Sequence, residues 1–276
     1  MEWMANLLGY VVRLIYDITS NNYAFSIILF TILTKLALFP LNLKQMKSNK
    51  EMQKIKPKYD EVMKKYKDNK QKQSEEITKI YAEHKINPLG GCLPLIVQMF
   101  LIIAIFYVVK QPLTYVVQMS KDDIRIYTQE VLEKDVVNEN EMKSNEIIVA
   151  NKYNFIDMNF LGLNLGDVPS NSFNEDQNKK ANPISLVVPI LAVILSVIQI
   201  KITQNSMEMT EEQKEMQKSM NLTMPLMSGI ISYTMPLALG IYWLLGSLLQ
   251  IVQQKVIKLI VDEEFNKEKE DVKLLK

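Results

Sequence analysis

One histidine and one cysteine, His84 and Cys92, are the whole supply of those two side chains in 276 residues. A His/Cys-rich metal site cannot be assembled from them, and a lone cysteine closes no disulfide within the chain. The two stand eight residues apart, which does not suggest a Cys/His nucleophile. His84 reads as a surface residue and Cys92 as a small packing residue. Glycine is scarce as well, with 8 in all, and Gly90-Gly91 runs into Pro94 without the Lys-Ser/Thr that a phosphate-binding loop requires. The sequence therefore points away from an enzyme and from any cofactor or metal. The first 20 residues lack a basic n-region and a small-residue cleavage site, so no signal peptide is expected there. No internal repeat is visible, which disfavours the inverted-repeat plan common among solute transporters.

What the chain has is segregation of its charges. Apolar residues make up 48% and charged residues 23%, a balance that a soluble helical protein could share. Four stretches nevertheless stay almost free of charge: Asn21 to Leu43, Ile86 to Val109, Ala181 to Ile200 and Asn221 to Gln254. A membrane span needs about 20 residues, so the first three supply one each. The fourth is too long for one upright helix and just enough for two short ones, with Pro236 and Gly240 near the expected reversal. The expected spans are 23–43, 92–110, 183–203, 221–236 and 238–257.

Short loops rich in Lys and Arg stay in the cytoplasm. Residues 44–85 carry 13 Lys against 7 acids, whereas 111–182 carry 7 basic residues against 12 acids. The first loop is thus expected inside and the second outside, with the N-terminus outside and the C-terminus in the cytoplasm. In 44–85 the apolar stripe Ile55, Tyr59, Val62, Met63, Tyr66, the turn Asp68-Asn69 and a second stripe Ile77, Ile80, Tyr81 predict a helical hairpin. A solvated hairpin without a specific task is the simpler reading of its charge. Trp3, Leu7, Val11, Leu14 and Ile18 recur at helical spacing in residues 1–20. They fit an interfacial helix on the outer leaflet or an amphipathic cap packed on the protein. In the outer segment, Tyr153 to Ile156 and Phe160 to Leu163 suggest a structured return to the membrane, and the charged run Val131 to Asn145 is expected to be mobile.

Lys35 is the only charge between Tyr23 and Leu43. Inserting an ionisable group halfway along an apolar span costs about 2.5–3.5 kcal/mol, so its amine is expected to face protein or a wet cavity.

The run Thr31 to Lys35, then Pro40-Leu41, Lys44 to Ser48 and Pro57 resembles the first block of the YidC/Oxa1/Alb3 membrane protein insertases. Lys65-Tyr66, Tyr81, Asn87-Pro88, Gly90 to Pro94 and Gln98-Met99 continue in that family's order. Pro225, Pro236, Leu239-Gly240, Tyr242-Trp243 and Gln253 are similar to its final two helices. The resemblance implies an all-α polytopic membrane protein: an insertase core over 21–260 whose five helices enclose a hydrophilic groove, with the cytoplasmic hairpin 44–85, the extracellular loop 111–182, the N-terminal interfacial helix and a short charged tail over 261–276. It implies a bacterial plasma membrane location. It also implies nascent membrane proteins as substrates, within the lipid bilayer, alone or beside the Sec translocon, with the ribosome and the signal recognition machinery as further partners and no direct role with nucleic acid.

By the same resemblance the family's groove Arg falls on Lys35, its second-helix Gln on Gln98 and its last-helix Trp on Trp243. Thr31, Thr34, Ser228, Ser232 and Tyr242 are further candidates for the groove wall, and some of them are expected only to bond to backbone carbonyls. Gln98 has the alternative of bridging to a neighbouring helix. Lys lacks the bidentate fork of Arg, although with 30 Lys and 2 Arg the exchange also follows the chain's composition. Phe100 replaces a Pro frequent in the family, so the second span is expected to be straighter. Cys92 is misplaced for the lipoprotein anchor of many Gram-positive relatives. The tail has 4 Lys against 6 acids, not the basic extension that holds ribosomes in some members. Two other functions fit the residues less closely, an assembly chaperone without translocating activity and a solute transporter.

Overall fold

The computed structural model describes residues 2–84, 93–173, 181–204 and 211–274. Its elements in order are α1 (Glu2–Ile18), α2 (Tyr23–Lys65), α3 (Lys70–Glu83), α4 (Leu93–Lys110), α5 (Lys121–Leu132), α6 (Glu139–Lys152), a two-residue hairpin of β1 (Asn159–Phe160) and β2 (Leu163–Asn164), α7 (Val187–Gln204), α8 (Glu211–Thr234) and α9 (Leu237–Leu274). The readings placed on Asn87-Pro88, Gly90-Gly91 and Cys92, including the start of the second span, lie outside the described residues.

Among the described residues three helices are long and apolar enough to cross a membrane, within Tyr23–Lys65, Pro183–Thr203 and Leu237–Lys267, and a shorter apolar helix covers Val97–Lys110. Only 28% of the residues in each of the three apolar windows are buried. Phe25, Leu33 and Leu36 on α2, Ile190, Leu191 and Ile194 on α7, and Leu248, Val252 and Leu259 on α9 are exposed. Apolar surface on this scale suits acyl chains, not water. The fourth expected span falls on the later part of α8, whose first two turns carry Glu211, Glu212, Lys214, Glu215 and Lys218. Residues 221–234 reach only about 21 Å at the α-helical rise.

The chain divides into two compact units. The first comprises Met1–Lys35, Gln98–Ser196 and Met224–Leu248. Its core includes Val12 and Ile15 of α1, Tyr23, Ile27 and Phe30 of α2, Ile105 and Val108 of α4, Val149 of α6, and Leu239 and Tyr242 of α9. One face of α1 packs on the protein and the opposite face is exposed. Ala5, Val12 and Ile15 are buried, while Trp3, Leu7, Tyr10, Leu14 and Ile18 form an exposed apolar stripe. The packed face docks on a π-turn over Leu113–Val117. A Cβ on Gly9 would lie 2.8 Å from Tyr115 Cβ, so only glycine permits this approach. The described part of 111–182 is more ordered than its charge suggests. Ser120 caps α5, and Asn138 with Glu141 forms a capping box that starts α6 inside the run expected to be mobile.

The second unit comprises Leu36–Val97, Val197–Thr223 and Leu249–Lys276. The first arm of the predicted hairpin is not a separate helix, because α2 continues unbroken through Pro40 and Pro57. A helix interior tolerates proline when neighbours re-satisfy the freed backbone groups. The turn falls after Lys65 as expected, with Asn69 Oδ1 accepting Lys72 N–H to cap α3. Ile55 and Ile80 are buried across the hairpin, and the Tyr59 and Tyr81 rings stack at 6.5 Å. His84 is exposed, with Lys58 Nζ 3.1 Å from its Nε2. The charged tail is likewise helical, since α9 runs on to Leu274. Met46 packs on Ile257 and Val261, Lys47 pairs with Glu264 and Lys50 with Asp262, each at 2.7 Å. The tail's acids thus complement the basic residues of the hairpin base.

Candidate functional site

All eight residues singled out from the sequence fall in the first unit. Lys35 ends that unit's stretch of α2 and is half-buried. Its stem lies beside Gly246 of α9: a Cβ there would sit 3.7 Å from Lys35 Cε, already at van der Waals contact. A longer side chain at 246 would displace the lysine. Gly246 follows Tyr242 by four residues, the spacing that puts both on one helix face, and that signal was available in the sequence.

Tyr242 is 4% exposed, with its ring 6.4 Å from Phe30 of α2. Its hydroxyl is hydrogen-bonded to the side chain of Gln98 on α4. The helix-bridging alternative for Gln98 therefore describes a real bond, and the half-buried amide is at the same time joined to α9. Trp243 is half-buried on the adjacent position of α9. Lys35, Gln98, Tyr242 and Trp243 thus come from three helices, α2, α4 and α9, all expected spans.

The small hydroxyl residues divide differently. Thr31 is fully buried, and its Oγ1 donates to Ile27 C=O at 2.6 Å on its own helix. Thr34 is half-buried and donates to Thr31 C=O at 2.8 Å. Ser228 is fully buried and donates to Ala192 C=O of α7 at 3.2 Å. Beside it Gly229 meets α7 so closely that a Cβ would lie 2.7 Å from Val193 Cγ2. Ser232 is fully buried next to Gly240, with no hydrogen-bond partner for its hydroxyl among the described residues. Thr31, Ser228 and Ser232 are therefore packed between helices. Gly240 serves that packing too, standing inside α9 against Val188 of α7, whereas the reversal is made by Met235 and Pro236.

Lys35 also makes an interaction of its own within the protein. A half-buried lysine beside a glycine, in the unit where an amide is joined to a phenol, is an arrangement suited to acidic or hydrated groups.

The family model described as 60Kd inner membrane protein matches residues 14–264. The chain belongs to the YidC/Oxa1 family. A YidC protein of Fusobacterium nucleatum, named membrane protein insertase YidC, is 31% identical over 262 residues, which cover 93% of this chain and 98% of that one. The insertase YidC of Clostridium perfringens is 29% identical over 274 residues, 97% of this chain and 92% of the relative. That of Syntrophus aciditrophicus is 36% identical over 135 residues, 49% of this chain but only 24% of the longer relative. YidC proteins thus come in lengths like this chain's and in much longer forms of which it spans about a quarter. Membership makes this an all-α membrane protein of an insertase family whose similar relatives are bacterial.

Proposed function

We propose that this chain inserts nascent membrane proteins into the bacterial plasma membrane through a polar groove in which Lys35 is the principal charge. Five spans surround the groove, the N-terminus is outside and the C-terminus is in the cytoplasm. Nascent membrane proteins and the bilayer are its partners, with the Sec translocon, the ribosome and the signal recognition machinery as occasional ones. The observation that carries this reading is a half-buried lysine in an apolar helix, set beside Gly246 and in the unit that joins Gln98 to Tyr242.

The physical task explains the arrangement. Carrying a hydrated segment across about 30 Å of hydrocarbon strips water from its backbone and charges. A groove reaching partway supplies replacement partners and shortens the dry path. An acidic segment gains further from the lysine, and from the membrane potential at about 2.3 kcal/mol per charge per 100 mV. In this reading Gln98, Tyr242, Trp243 and Thr34 line the groove together with the cation. Thr31, Ser228 and Ser232 hold the helices that carry it.

Photocrosslinkers at Gln98 and Trp243 are expected to capture stalled nascent chains, whereas probes at the exposed Ile194 and Leu259 capture chains only after they have entered lipid. Capture confined to Ile194 and Leu259 would refute the groove. An assembly chaperone would differ on depletion: membrane entry would persist and only later subunit assembly would fail.

A further inference from the structure

The outer segment that follows α4 closes around one carboxylate. Glu146 sits in the middle of α6, 1% exposed, in a buried stripe otherwise made of Met142, Val149 and Ala150. Its Oε2 accepts Thr114 N–H at 2.9 Å, its Oε1 lies 2.6 Å from Thr114 Oγ1, and Leu113 N–H is also directed at the carboxyl. These groups open the π-turn Leu113–Val117, the piece of chain that leaves α4. The same turn receives α1, through the close approach of Gly9 to Tyr115 and a 3.3 Å bond from Arg13 Nη1 to Val117 C=O.

We propose that Glu146 is a proton-operated latch: uncharged, it fastens α6 to the turn after α4 and fixes the outer end of that helix; charged, it lets the two part. This rests on the outer segment alone and stands or falls separately from the groove.

The closest partners of the carboxyl are a hydroxyl and amides, not a basic side chain. Burial therefore raises its pKa from the ordinary 4.5 to about 7, against the opposing pull of the Thr114 and Leu113 bonds and of Lys143. Lys143 is on α6 itself and pairs with Glu139 at 2.8 Å. From α2 the buried Tyr23 hydroxyl is within electrostatic reach. From the turn the one ionisable side chain is Tyr115. On α5, which packs on α6, the buried residues Ile124 and Thr128 are uncharged, Arg125 pairs with Asp122 in solvent, and the Tyr127 ring rests on Tyr153. The sign follows from the raised value. The latched state binds the proton more tightly than the opened one, so its stability is complete below about 4.5 and declines as pH climbs to about 7.

Hydrogen exchange on the full chain in lipid nanodiscs, corrected for intrinsic exchange, tests this. Protection of 113–117 and 139–152 is expected to fall by up to about tenfold per pH unit between 4.5 and 7 and to level off above. Glu146→Gln keeps an acceptor for Thr114 N–H and a donor toward Thr114 Oγ1 but cannot ionise, so its protection stays high and flat. Thr114→Val removes a bond that favours the charged form and shifts the midpoint upward. Equal pH slopes in wild type and Glu146→Gln would overturn the latch, as would a midpoint that Thr114→Val leaves in place.

Discussion

Lys35→Ala lowers insertion of clients with acidic N-terminal tails by roughly tenfold, equivalent to about 1.4 kcal/mol, while Lys35→Arg keeps most of the activity. The contrast follows from what each substitution removes. Alanine takes away the only charge in the membrane part of α2 between Tyr23 and Leu43 and leaves Gly246 facing a void. Arginine preserves the charge on a longer stem, and Gly246 is the neighbour that gives it room. The effect should also depend on the client. Tails without acids lose the electrostatic gain but still need replacement hydrogen bonds, so they should be affected less. Insertion assays in vesicles, with acidic and neutral versions of one tail, would measure the difference. Full activity of the alanine variant toward acidic tails would remove the lysine from the mechanism.

The second large effect is expected at Gly229. Even a methyl group there would come within 2.7 Å of Val193 Cγ2, and valine, branched at Cβ, has little freedom to turn away. Gly229→Leu must therefore push α8 off α7. The shift would also stretch the 3.2 Å bond from Ser228 to Ala192 C=O and disturb the tight contact at Gly240. Overpacking of this kind costs about 1–3 kcal/mol. Thermal unfolding of the purified chain would show it as a clear drop in midpoint and in monodisperse yield. Leu226→Ala, on an exposed neighbouring position, should change neither. A leucine variant as stable as wild type would mean that α7 and α8 do not pack as described.

Much of this architecture is legible in the sequence because membrane segments exclude charge. The apolar runs mark α2, α4, α7 and α9, and Asn69 announces the hairpin turn through its capping chemistry. The continuity of α2 is not legible, since Pro40 and Pro57 look like breaks yet lie inside one helix. Gly240 misleads in the opposite direction: it reads as part of a reversal, but its lack of a side chain serves a helix contact with Val188. Residue types alone cannot separate Thr34, beside the lysine and half-buried, from Thr31, turned into the core and bonded to Ile27. The segment between α4 and α7 hides most. Its charges suggested mobility, yet a lone acid at position 146, in helical step with Met142, Val149 and Ala150, was the available sign of a buried carboxyl.

Whether water reaches the amine of Lys35 is the most direct test of the insertion mechanism. The chain has a single cysteine, Cys92, so Cys92→Ser with Lys35→Cys places one thiol at the critical position. In right-side-out and inverted vesicles, that thiol should react with a charged, membrane-impermeant maleimide supplied from the cytoplasmic side, and should be slowed when a stalled client is bound. Reaction only with a lipid-soluble reagent would mean that position 35 faces hydrocarbon, in contradiction of a hydrated groove.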